Sequence, residues 1–299
     1  MQLSLIVPPT VTDWHNYTKL LPGHFCIASV AIKHEGYKAF FKAEAKRGAK
    51  VILDNGVFEE DLIANEDLIE LAWEIGAHTL IIPDILCGDA FENKTKAEKF
   101  IVRAKVMHSL QATESQSLPK FMFVPQCKLN DDVGFWQSID WAINNPDIAC
   151  IGICRDACRN AQMQWTNTDD QELNRFYFAV EAIRTGYVVN AQKKATKWHF
   201  LGVGDNVHII ENYWFVDSMD TASLFWQGYH ANSIQHGRLL THHKRPTNYF
   251  TRPYIDLIRR GHTVTKQSCF DIVEGNCLEA QYYANNADKL RRKLLGGRI

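Results

Sequence analysis

A short β-rich run followed by a longer helical stretch recurs along this chain at intervals of roughly 25 to 35 residues, and that alternation limits the fold more than any other feature. FCIASV at Phe25 to Val30 leads into EGYKAFFKAEAKRGA, and KVILDNG at Lys50 to Gly56 into EDLIELAWEIG. HTLIIPD at His78 to Asp84 precedes ENKTKAEKFIVRAKVMHSL, and KFMFVPQ at Lys120 to Gln126 precedes DDVGFWQSIDWAI. DIACIGIC at Asp147 to Cys154, KWHFLGVG at Lys197 to Gly204 and YWFVDSM at Tyr213 to Met219 continue the series. Each run is apolar on both faces, as parallel strands covered by helices or by a barrel interior must be. GRLLTH at Gly237 to His242 is a weaker eighth unit.

Repeated right-handed β/α crossovers close into a barrel, although an open doubly wound sheet has the same local signature. Polar residues at the ends of the runs decide for the barrel. Asp54, Asp84, Gln126 and Asp217 each fall at such an end, and only a barrel gathers the ends of strands so distant in sequence around one pocket. The expected fold is therefore a (β/α)8 TIM-type barrel, one domain over residues 1–299. A polar insertion, Arg155 to Asn174, follows strand five and reads as a lid or a plain surface loop, and a C-terminal helical extension covers about residues 240–299.

A chain of 299 residues with 46% hydrophobic residues can bury one substantial core. Lys plus Arg number 33 against 34 Asp plus Glu, a formal net charge of -1, so a nucleic-acid partner has to be held by a local patch. Apolar runs stop well short of the roughly 20 residues of a membrane helix, and no signal-like segment opens the chain. Several of the eight cysteines fall in strand-like runs, where a free thiol serves as a small core residue, which fits a reducing, cytoplasmic setting, the host cytoplasm if the protein is viral.

LDNGVFE at Leu53 to Glu59, PDIL at Pro83 to Leu86, FVPQ at Phe123 to Gln126, IGI at Ile151 to Ile153, FLGVGD at Phe200 to Asp205 and FVDSMD at Phe215 to Asp220 stand in an order and spacing that resembles the tRNA-guanine transglycosylase superfamily. The DNA-modifying 7-deazaguanine transglycosylases of viruses and bacteria are the branch most similar. The resemblance implies that Asp217 attacks the anomeric carbon and forms a covalent sugar-enzyme intermediate, while Asp54 serves as general acid/base. It implies that Asp84 reads the N1 and amino hydrogens of the purine, with Gln126 and the backbone at Gly152 on its carbonyl edge. Gly202 and Gly204 then lie beneath the sugar, and Asn55, Gly56 and Asp220 complete the substrate-binding set. The implied reaction replaces guanine in DNA by a 7-deazaguanine such as 7-cyano-7-deazaguanine, with tRNA as the alternative polymer, helper proteins left open, and no metal or organic cofactor.

The chemistry suits these residue types. Exchange at an N-glycosidic bond develops positive charge on the sugar, which a carboxylate stabilises and then traps as an ester. A second carboxylate with a separately tuned pKa moves the proton between leaving and entering bases. A third, accepting two N–H donors, rejects the wrong ring by leaving buried groups unpaired.

Plainer roles stand beside these. Asp220 reads as the cap of the helix that follows if the strand ends at Ser218, or as the nucleophile if the alignment shifts. Asp54 fits an Asx turn before Gly56. The zinc pattern of the tRNA enzymes, C-x-C-x-x-C with a later His, has no counterpart; Cys150, Cys154 and Cys158 are the nearest group, at a spacing unlike a zinc site. Its absence favours DNA over tRNA, with the base flipped from the stack. Arg238, His243, Lys244, Arg245 and Arg252 are then the backbone-binding residues, in a run that also reads as a solvated face. A barrel enzyme for a small nucleoside or phosphorylated substrate and a non-catalytic nucleic-acid-binding subunit remain as other functions.

Overall fold

A computed structural model of the chain describes residues 1–11, 13–57, 63–111, 117–204, 206–230, 232–235, 238–239 and 266–295. In chain order the elements are β1 (Gln2–Leu5), α1 (Trp14–Thr18), β2 (His24–Ile27), α2 (Ala28–Lys33), α3 (Glu35–Lys46), β3 (Val51–Asp54), α4 (Asn65–Ile75) and β4 (Thr79–Ile81). There follow α5 (Ala90–Gln111), β5 (Lys120–Phe123), α6 (Asp132–Asn144), β6 (Ile148–Ile153), α7 (Arg155–Thr166), α8 (Gln171–Arg184), α9 (Tyr187–Lys193) and β7 (Lys197–Phe200). A 3₁₀ segment (Val207–Tyr213), β8 (Ser218–Thr221), α10 (Ser223–Tyr229), β9 (Ile234–Gln235), β10 (Arg238–Leu239) and α11 (Lys266–Leu294) complete the order. The fold is of the (β/α)8 type: eight parallel strands in the order β1-β8-β7-β6-β5-β4-β3-β2, with helices between successive strands and a helix at the C-terminal end.

The chain separates into two compact units, His24–Leu201 and the combination of Met1–Gly23 with Gly202–Ile299. Strands β2 to β7 and helices α2 to α9 make up the first. Alternation of side chains along its strands separates an outer from an inner face. Phe121 packs edge-on against Phe100 of α5 and Phe123 against Trp141 of α6, while Trp198 and Phe200 lie tilted against Phe178 of α8. Full burial of each such ring contributes on the order of 2–3 kcal/mol. The alternate positions point inward. There the rings of Phe25 on β2 and His199 on β7 stack with centroids 5.9 Å apart, so six strands curl until the two edge strands face one another. Outside, Tyr187, Trp136 and Phe178 form a ladder of stacked rings, 5.1 and 5.3 Å between centroids, that ties α9, α6 and α8 together.

The second unit is built on the parallel pair β1 and β8, with Gln2 opposite Ser218 and Leu5 opposite Thr221. Tyr17 of α1 packs on Phe225, Tyr229 and Phe270. A side chain at Gly228 of α10 would lie 2.6 Å from the backbone nitrogen of Val273, so glycine permits α10 and α11 to touch backbone to backbone. Asn276 of α11 is fully buried, accepts the Ile234 N–H at 2.7 Å and donates to the Asn232 carbonyl at 3.1 Å.

Four expectations change. FCIASV is not one strand, because β2 ends at Ile27 and Ala28 begins a helix. The eighth barrel strand is QLSL at β1; of the run Gly237 to His242, only Arg238 and Leu239 are described as strand, and they pair antiparallel with β9. YWFVDSM gives way to the end of the 3₁₀ segment and a strand that starts at Ser218. The polar stretch Arg155 to Asn174 is α7 and the start of α8 around a short turn. Cys154 and Asp170 cap the two helices through the Ala157 and Leu173 N–H groups. Buried Ala157, Cys158 and Ala161 on α7 explain why it packs as a helix rather than opening as a loop.

Candidate functional site

In the unit His24–Leu201, strands β3, β4, β5 and β6 are successive neighbours, and the residues just past their carboxyl ends form one hydrogen-bonded cluster around Asp84. Asp84 Oδ1 accepts from Asn55 Nδ2 at 2.8 Å, and Oδ2 accepts from Gln126 Nε2 at 2.6 Å. Asn55 also donates to the Ile82 carbonyl at 2.9 Å, and its own carbonyl accepts the Val57 N–H at 3.0 Å. Gln126 Oε1 accepts the Cys87 N–H at 3.3 Å, and its amide nitrogen lies 3.5 Å from Cys154 Sγ. Every partner therefore has its orientation fixed from behind, which is what a preorganised carboxyl requires.

Helix α5 supplies the next layer. Asn93 is buried and joins two loops, accepting the Ile85 N–H at 3.0 Å and donating to the Val124 carbonyl at 2.9 Å. Lys96 donates to the Asp84 backbone carbonyl at 3.0 Å. Asp84 is 7% exposed. Its carboxyl is shifted upward from the ordinary range because burial disfavours the charged form, while the Gln126 and Asn55 amides pull the other way. A carboxyl so held has lone-pair directions committed to two side-chain amides and to the backbone N–H of its own residue.

Gln126 itself is fully buried, its amide committed to Asp84. Its loss would leave the buried Asp84 carboxyl with one donor fewer. Asp54 ends β3, and its Oδ2 accepts the Gly56 N–H at 3.2 Å, an Asx turn that the φ of +72° at Gly56 allows to continue. Gly152 faces the inner side of β6, where a Cβ would come within 3.0 Å of Met122 Sδ and Val124 Cγ2. Burial pushes the half-buried Cys154 thiol up to about 11, opposed by the Ala157 N–H.

The other unit holds Asp217 and Asp220, which lie at opposite ends of β8. Asp217 precedes the strand: its carbonyl accepts the Gln2 N–H at 2.9 Å, and its carboxylate pairs with Arg291 of α11 at 2.9 Å. Asp220 is inside the strand toward its carboxyl end and is buried. Its Oδ2 accepts the Gly202 N–H at 3.1 Å and its carbonyl the Val203 N–H at 2.8 Å. Gly202 has φ +64°, a conformation that aims its N–H at the carboxylate and that a side chain would strain. Thr221 Oγ1 donates to the Val203 carbonyl at 2.8 Å, and Gly204 follows in the same loop. The expectation that the strand ends at Ser218, with Asp217 at its carboxyl end and Asp220 as a helix cap, is corrected. Pairing with β1 sets the strand from Ser218 to Thr221, and α10 starts at Ser223.

Among the proposed nucleic-acid contacts, Arg238 is described only as a backbone position in β10, and His243, Lys244, Arg245 and Arg252 lie outside the described residues. Asn93, Lys96, Cys87 and Cys154 join the cluster without having been expected there. Of these only Cys154 carried a sequence signal, its place at the end of an apolar run. Among the described residues no group of three or more His, Cys, Asp or Glu side chains is placed to hold a metal ion, and no helix is long and apolar enough to cross a membrane. Comparison with protein-family models and with curated proteins gives no match. The (β/α)8 fold is one that hosts enzymes of many chemistries and is compatible with the transglycosylase superfamily, so the reaction has to be argued from the residues.

Proposed function

We propose that the chain is a base-exchange glycosyl transferase that replaces guanine in DNA by a 7-deazaguanine such as 7-cyano-7-deazaguanine. The observation that supports this reading is the Asp84 cluster, a buried carboxyl at strand carboxyl ends, oriented by two neutral amides and shifted toward its protonated form. Such a group suits a purine edge that offers two N–H donors, and it rejects an edge that does not.

In the proposed sequence Asp220 takes the nucleophile's part. Its carboxylate attacks C1′ of the nucleotide, the C1′–N9 bond breaks, and an aspartyl ester holds the sugar while guanine leaves with a proton donated by Asp54. The incoming 7-deazaguanine returns its N9 proton to Asp54 and attacks C1′, and Asp220 departs as a carboxylate. A target in duplex DNA has to leave the stack first, with Arg238, His243, Lys244, Arg245 and Arg252 as the proposed backbone contacts.

The test incubates purified protein and radiolabelled guanine with duplex DNA, single-stranded DNA or tRNA, alongside Asp220→Asn and Asp217→Asn. Label entering DNA with the wild type and Asp217→Asn but not with Asp220→Asn supports the reading in full. Label entering tRNA alone replaces DNA by tRNA as the substrate. No label in any polymer, from protein that is folded by circular dichroism, sinks self-sufficient guanine exchange and favours a small-substrate barrel enzyme.

A further inference from the structure

Three lysines stand where strands of the unit His24–Leu201 begin. Lys120 and Lys197 are the first residues of β5 and β7, and Lys50 immediately precedes β3. The pairing register fixes which way they face, because parallel partners point to the same side of a sheet. Phe25, whose ring meets His199 inside, is level with Ile52, Ile52 with Thr79, and Thr79 with Lys120. Lys50 lies two residues before Ile52, and Lys197 two before His199. The ladder is intact as far as these residues: the His78 N–H donates to the Val51 carbonyl, and the Lys120 N–H to the His78 carbonyl, each at 2.9 Å. Alternation therefore puts all three lysines on the inward side, at the mouth where the strands start.

All three are exposed, while Thr79 beside them is buried. His78, at the start of β4, has Nδ1 2.9 Å from Thr79 Oγ1. Burial first, and then Lys120, Lys50 and Lys197, hold its imidazole below the ordinary range, so three cations act on one place. Nearby acids are already committed. Asp147, before β6, pairs with Lys105 at 2.6 Å, and Glu44 of α3 pairs with Arg47 and His24. Among the described residues none of the three lysines has a carboxylate partner. A helix C-terminus favours a cation, but these residues start strands. Inward lysines also blunt a sheet edge, but β3 and β5 have strands on both sides. Like charges gathered in this way repel, and a bound anion removes the repulsion. A nucleic-acid backbone presents its phosphates as an extended row, whereas an oligophosphate brings several charges to one point, and the lysines converge on a point.

We propose that the amino-end mouth of β3, β4, β5 and β7 binds a compact oligophosphate, held by Lys50, Lys120 and Lys197 with the His78 imidazole and the Thr79 hydroxyl at its centre. The site lies at the opposite strand ends from Asp84 and does not depend on the proposed reaction. The full chain is titrated with inorganic tripolyphosphate, and separately with a single-stranded DNA oligonucleotide, by calorimetry and by NMR of the histidine ring carbons. Tripolyphosphate is expected to bind once per chain with a dissociation constant below about 1 mM, and to raise the His78 pKa because the anion offsets the lysines. Lys120→Gln and Lys197→Gln are each expected to weaken binding by roughly tenfold with unchanged circular dichroism. Lys94→Gln, near the start of α5, is expected to leave it as it is. No binding of tripolyphosphate, a His78 pKa that does not rise, or equal affinity in the Lys120→Gln and Lys94→Gln chains would each overturn the proposal. Binding of the oligonucleotide that Lys120→Gln weakens, without binding of tripolyphosphate, would overturn it too and give the mouth to a nucleic-acid backbone.

Discussion

The two ends of β8 hold the same functional group in opposite ways. At the amino end the Asp217 carboxylate meets a guanidinium, Arg291, on the C-terminal helix; at the carboxyl end Asp220 meets a backbone N–H from the left-handed glycine Gly202. Asp84, beyond the carboxyl end of β4, repeats the second arrangement with two neutral amides. A fixed cation satisfies a carboxylate's charge and fastens one element to another. Neutral donors fix its direction, which is the condition for recognition of N–H donors.

The sharpest way to break this contrast is to neutralise each aspartate of β8 in turn. Asp220→Asn is expected to reduce base exchange by on the order of 10³-fold or more, as loss of a covalent nucleophile does. Asp217→Asn should stay within a few-fold of wild type in the same radiolabel assay, and the reverse ranking would return the nucleophile to Asp217. Stability should respond the other way around. A double-mutant cycle of Asp217→Ala and Arg291→Ala, followed by urea unfolding, is expected to give a coupling of about 1–2 kcal/mol for this half-buried pair, diminished by salt. Coupling indistinguishable from zero would mean that the pair fastens nothing.

Gln126→Leu tests the neutral-donor arrangement at Asp84. Removing the amide from a buried carboxyl is expected to cost about 1–3 kcal/mol in unfolding experiments, and to push the Asp84 carboxyl further upward. The smallest effect is that of pH. Because the Asp84 carboxyl is raised in the folded state, the folded form binds this proton more tightly than the unfolded form. Its contribution is present in full below the ordinary carboxylate value of about 3.9, and is lost as pH rises through the raised value. Stability of the wild type relative to Asp84→Asn should therefore fall with rising pH across that window. A difference that rises with pH would show a carboxyl held down rather than up.

Six strands, β2 to β7, are legible in the sequence to within a few residues because each is an apolar run bounded by turns. β1 and β8 are not, and the reason is the same for both. QLSL is half polar and SMDT has only Met219 apolar, so neither reads as the apolar run that marks the other strands; each becomes a strand by pairing with the other. The misplacement of Asp217 follows directly, since the apolar run that precedes it, Trp214 to Val216, marks buried chain before the strand rather than the strand. At the candidate site the sequence indicates Asp84 and Gln126 by their positions at the ends of runs, and Asn55 by the resemblance alone. What it does not reveal is their mutual arrangement, or the part of Asn93 and Lys96, which reach back from a helix and leave no local pattern.

The pairing of β1 with β8 also bears on how the chain is made. Ribosomal synthesis at 5–20 residues per second leaves β1 outside the exit tunnel for roughly 10 to 40 seconds before its partner strand has been translated. Throughout that interval the edge of QLSL that meets β8 presents unpaired backbone donors and acceptors, while residues 24–201 emerge as a unit with strands of their own to pair. The nascent polypeptide thus carries an open strand edge at β1 until β8 appears, and it is there that a ribosome-associated chaperone has most to shield.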